Sequence, residues 1–134
     1  MNETLLARLE SVHSQTDVSR SSSSANTVKR WYFHIEASCW LLMNAHVPEL
    51  DFIFCLEYTD SLKKYSVVID RAKVGYLRDS LMSGSLAVEG FGEFRDARLV
   101  LISDDGAVPV DVRSLHFDVV RSNDSIKPRY RLVA

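Results

Sequence analysis

The sequence predicts an α+β fold that is mainly antiparallel β, with about seven strands and a short N-terminal helix. A sandwich, an open barrel or a curved sheet would each satisfy that content. Three observations carry the prediction. Residues 29–44, KRWYFHIEASCWLLMN, alternate: Trp31, Phe33, Ile35, Ala37, Cys39 and Leu41 share one parity, and Tyr32, His34, Glu36, Ser38, Trp40 and Leu42 the other. Period-two segments bounded by turn residues then recur to the end of the chain. Residues 3–13, ETLLARLESVH, differ, because Leu5, Leu6, Leu9 and Val12 fall at helical spacing.

The elements follow in order. The N-terminal segment, residues 1–13, reads as an amphipathic helix with Asn2 as a candidate cap. It is too short to stand alone, so it must dock on the body or on a partner. Residues 14–28 contain the run SSSS, carry no apolar periodicity, and read as a flexible linker. Residues 29–134 then form one β-rich domain. Its opening strand ends near Pro48. In ELDFIFCLEYT, Leu50, Phe52, Phe54, Leu56 and Tyr58 share a face. The turn TDSLKK leads into YSVVID, a hairpin pattern. These first three strands are expected to form a meander.

Residues 73–82, KVGYLRDSLM, break the alternation and suit a short helix, a further strand or an irregular loop. In SLAVEGFGEF, Gly90 and Gly92 flank Phe91 and signal a bulge or sharp bend. Two more hairpins are expected: ARLVLIS with VPVDVR around Asp105-Gly106, and SLHFDVVR with IKPRYRLV around SNDS. Pro109 and Pro128 must sit where no ladder donor is needed.

Composition narrows the function. The 134 residues are 46% apolar and 25% charged with a formal charge of −2, ordinary for a globular domain. Nothing global draws such a chain to nucleic acid or anionic membrane. Cys39 and Cys55 lie in apolar runs at a spacing that fits no zinc pattern, so both read as buried, reduced thiols. No apolar stretch is long enough to span a bilayer, and residues 1–20 lack a signal-peptide apolar region. Cytoplasmic residence without membrane contact is the resulting expectation.

No residue set announces catalysis. His34 and Glu36 point the same way from one strand, but neither His46 nor any other residue completes a recognisable metal set. There is no nucleophile elbow around the SGS at 83–85, and GFG at 90–92 lacks the lysine of a phosphate loop. Asp51 and Glu57 lie about 20 Å apart on an extended strand, too far for a carboxylate pair. SDDGA loses the rhythm of a calcium loop after Gly106. The sequence therefore assigns no catalytic residue, metal or cofactor.

The reading that remains is a small non-enzymatic module acting by protein–protein contact, of the accessory, inhibitor or immunity type. Its interface would be Tyr32, His34, Glu36 and Trp40, with Leu5, Leu9 and Val12 as the docking helix. The partner would be another protein or a second copy of the chain. Apolar residues on both parities of the opening strand also predict that its Trp40–Leu42 end is covered and its Tyr32–Glu36 end open. An alternative is a single-strand nucleic-acid binder using Lys29, Arg30, Lys127, Arg129, Tyr130 and Arg131 on one rim. A second alternative is a small enzyme whose ionisable groups converge only in three dimensions.

Overall fold

A computed structural model describes residues 2–12, 29–43, 49–75, 78–103, 110–123 and 127–134. Eight strands are present: β1 (Asn2–Ser11), β2 (Arg30–Met43), β3 (Leu50–Thr59), β4 (Lys64–Val74), β5 (Asp79–Phe91), β6 (Arg95–Ser103), β7 (Val110–Ser122) and β8 (Tyr130–Val133). They build a five-stranded antiparallel sheet, β4-β3-β6-β1-β8, and a three-stranded one, β5-β2-β7. The mainly antiparallel β expectation holds, and the described residues contain no helix. No helix among them is therefore long and apolar enough to cross a membrane.

The expected N-terminal helix is a strand. β1 pairs with β6 on one side and β8 on the other. A bulge between Leu5 and Ala7 explains the misleading spacing. An inserted residue resets the alternation, so Leu6 and Leu9 both pack against the core while Leu5 and Val12 are exposed. Leu5, Leu9 and Val12 thus do not form one docking face. Residues 73–82 also contain no helix in their described part: Val74 closes β4, and Met82 enters the core from β5. The linker 14–28, His46, Pro48, Leu77, Pro109 and the Asp105-Gly106 turn lie outside the described residues.

Strand pairing departs from the expected meander. β3 and β4 form the expected hairpin, closed around Asp60 to Lys63. β2, however, pairs with β5 and β7 and faces β3 across the core instead of lying beside it. The expected hairpins of β6 with β7 and of β7 with β8 are absent for the same reason, since each pair is divided between the sheets. Period-two patterning reports which face is buried, not which neighbour supplies the ladder.

The parities themselves are as read. Ile35, Cys39 and Leu41 of β2 and Phe54 and Leu56 of β3 are fully buried between the sheets. Each such side chain contributes about 1.5–3 kcal/mol of transfer free energy. At one end the core is aromatic: Trp31 stacks on Phe33 at 4.7 Å, and Phe94 stands edge-on to Trp31 at 84°. Trp31 Nε1 is buried without a conventional hydrogen-bond partner, and its indole is enclosed by Phe33, Tyr58 and Phe94.

The two sheets touch most closely where β4 meets β5. A Cβ on Gly84 would lie 2.3 Å from the Ile69 carbonyl oxygen, so only glycine admits β4 here. Beside it Asp70 Oδ2 accepts from the Ser83 amide at 2.9 Å. The sheets are joined again at Asp60, which is almost wholly enclosed. Its carboxylate accepts from the amides of Leu62 and Lys63, the Tyr65 hydroxyl and the Phe91 amide of β5. Gly92 follows with φ +73°, a left-handed turn that glycine adopts without strain.

Candidate functional site

The outer face of the three-stranded sheet is built by β2, whose alternation is unbroken from Arg30 to Met43. The apolar parity enters the core, so the second parity must face outward. The structure therefore places Tyr32, His34, Glu36 and Trp40 on one solvent-facing surface, as the sequence reading expects. No described element covers it. Trp40 is 43% exposed and Tyr32 38%, so the expected cover over the Trp40 end is absent among the described residues.

Neighbouring strands complete the surface. Trp40 lies opposite Leu81 of β5, itself 48% exposed, and opposite Arg113 of β7. Tyr32 lies opposite Glu89, and Val120 of β7 is exposed toward the same end. Asn123 clamps that end to β7: its Oδ1 accepts from the Tyr32 amide at 3.1 Å, and its Nδ2 donates to the Arg30 carbonyl at 3.2 Å. Between these two apolar shoulders the side chains are small. Ser38 lies opposite Ser83, and Glu36 opposite Ser85. With His116 they line a hollow of about 340 Å³.

Sequence reasoning missed the serines of β5 and His116, because the register that sets them against β2 is non-local. The SGS at 83–85 lies within β5 and lines this hollow. His116 is positioned by a bulge in β7, where Ser114 and Leu115 together oppose Cys39. Ser114 adopts φ 55°, the left-handed region that costs a non-glycine residue free energy.

The electrostatics are one-sided at the centre. Glu36 and Asp118 are directly opposite one another on β2 and β7, so their carboxylates face the same side. Neither forms an ion pair among the described residues. His34 Nε2 and Ser85 Oγ lie 2.8 Å apart at the edge of the hollow. That pair resembles a base beside a nucleophile, but acyl transfer also needs donors for an oxyanion. The neighbouring Glu36 carboxylate opposes such a charge, and the amides of β2 are engaged by β5 and β7. No group of three or more His, Cys, Asp or Glu among the described residues is arranged to hold a metal ion. Cys39 lies beneath this sheet, where burial, reinforced by Asp70, pushes its thiol up to about 11.

Of the residues of the nucleic-acid alternative, the structure brings Lys29 and Tyr130 to one cavity and pairs Arg30 and Arg131 with carboxylates. β8 lies beside β1, not beside β2. Arg30 is paired with Glu89 at 2.6 Å and Arg131 with Glu10. Lys29 and Tyr130 line a small cavity of about 210 Å³ with Trp31, Phe33 and Phe94. Lys127 and Arg129 are exposed in the segment before β8. Compared with family models, curated proteins and solved structures, the chain matches none.

Proposed function

We propose that this protein is a non-enzymatic binding module that recognises another protein through the outer face of its three-stranded sheet. The observation that carries the reading is the exposed Trp40–Leu81 pair beside a polar hollow. Interface centres combine a large ring with adjacent charge. The side chains start from a sheet hydrogen-bonded on both sides of β2, so little ordering remains to be done on binding.

The unpaired Glu36 and Asp118 set the chemistry of the partner. Two carboxylates side by side repel one another in the free chain. A lysine or arginine from a partner would relieve that repulsion and fill the hollow, while flanking apolar side chains met Trp40 and Leu81. The occupant is thus a protein segment with a cation between apolar residues.

The test is selection of displayed peptides on the full chain. Peptides carrying lysine or arginine beside apolar residues should be enriched. Their binding should fall at least about tenfold in the W40A/L81A double variant and on Glu36→Gln, with folded content unchanged by circular dichroism. Enrichment that ignores both variants would overturn the reading. A sedimentation mass above 15.2 kDa that returns to 15.2 kDa in the double variant would overturn the choice of partner, making the occupant a second copy.

A further inference from the structure

The opposite side of the molecule carries a second assembly, made of cations. On the outer face of the five-stranded sheet, four strands bring Lys64 (β4), Thr59 (β3), Arg98 (β6) and Arg8 (β1) around one hollow of about 380 Å³. Thr59 and Lys64 are directly opposite one another, as are Arg8 and Arg98. A bulge of β6 forms the floor, where Asp96 and Ala97 together oppose Tyr58. Asp96 holds φ 53° there, a conformation aspartate tolerates better than most residues.

Arg8 and Arg98 put two like charges at directly opposed positions of the ladder. One of them is fixed. Arg98 Nε donates to Glu57 Oε1 at 2.7 Å, and its Nη2 bridges to Glu3 at 2.9 Å. Those bonds hold the plane of the group still. Arg8 and Lys64 form no ion pair among the described residues. The hollow therefore presents two cations, Arg8 and Lys64, with no ion pair among the described residues, and the Thr59 hydroxyl, while the charge of Arg98 is already offset by Glu57 and Glu3. The Asp96 carboxylate on the lining opposes them in part.

We propose that this hollow binds a small phosphorylated molecule. Guanidinium forks and an ammonium match a phosphate group in charge and geometry. The volume exceeds the space one phosphate group fills and lies in the range of small-molecule sites. The site shares no residue with the face proposed to bind protein, so the two readings stand or fall separately.

Inorganic pyrophosphate is the probe, titrated into the full chain by calorimetry with sodium chloride of equal ionic strength as the control. Saturable binding is expected for pyrophosphate and not for chloride. Arg8→Gln and Lys64→Gln should each weaken it at least about tenfold, the loss of one charge-assisted contact. Asp96→Asn should tighten it, and Trp40→Ala should leave it unchanged. These are exposed positions, so the variants keep the fold. Absence of saturation, or an affinity unchanged from the parent chain in R8Q and K64Q, would overturn the proposal. So would binding of a single-stranded oligonucleotide with a steep salt dependence but no binding of pyrophosphate, which would make the patch a nucleic-acid surface.

Discussion

The two outer faces of this molecule start from the same alternation and finish differently. On the five-stranded sheet, Arg98 ties Glu57 of β3 to Glu3 of β1, and the apolar residues beside that bridge, Cys55 and Val100, are buried. On the three-stranded sheet, Glu36 and Asp118 stand together without a cation, and Trp40 and Leu81 remain in water. The first face completes part of its own bonding, whereas the centre of the second does not. The self-paired patch around Arg98 contributes to stability, and the unpaired charge and exposed rings around Glu36 and Trp40 contribute little to it.

The comparison is sharpest where the two sheets are tied together, so the largest effect is expected at Asp60. Burial alone would raise its carboxyl, but the amides of Lys63, Leu62 and Phe91 and the Tyr65 hydroxyl outweigh this and hold it down at about 2. An unfolded aspartate titrates near about 3.9. A depressed group contributes stability that is complete above the unfolded value and is lost as pH falls toward the folded one. Acid unfolding followed by tryptophan fluorescence should therefore steepen between about pH 4 and pH 2. Asp60→Ala should lower the thermal midpoint at pH 7 and flatten that acid-dependent part.

Next in size is Arg98→Ala on the self-bonded face. It strands the Glu57 carboxylate, whose side chain is 9% exposed, and should cost about 2–3 kcal/mol in urea unfolding, below the loss at a fully buried pair. On the outer face of the three-stranded sheet the effects are smaller and of both signs. Ser114→Gly releases left-handed strain at the bulge beside His116 and should add about 1 kcal/mol. Trp40→Ala should cost less than about 1 kcal/mol, since its ring is nearly half exposed. Asp118→Asn should stabilise by a few tenths of a kcal/mol, roughly the size of one cross-strand repulsion, while weakening the proposed partner contact. A large loss of stability from Trp40→Ala would erase the distinction between the faces.

Local patterning made part of this legible. The parities of β2 and β3 follow from side-chain alternation alone, and with them the outward placement of Tyr32, His34, Glu36 and Trp40. β1 was misread because its bulge at Leu6 imitates a helical stripe, and pairing on both sides then overrides local propensity. The hollow was invisible for a different reason. Ser83, Ser85 and His116 have no local signature, and only the registers of β5 and β7 against β2 set them beside Glu36 and Ser38. The cationic hollow likewise draws on residues as far apart in the chain as Arg8 and Arg98.

The place of β1 between β6 and β8 also governs how the protein comes into being. β1 has no bonding neighbour until Arg95–Ser103 and Tyr130–Val133 have been made. Its amides and carbonyls must wait, hydrated, until those distant segments emerge. Assembly of the larger sheet is therefore a late step joining segments as distant as Arg8 and Val133, in the slow regime expected of topologies dominated by distant contacts. A fusion or deletion that disturbs Tyr130–Val133 would uncover the full length of one side of β1's final turn of pairing, Arg8 to Ser11, as an open edge ready to recruit another strand.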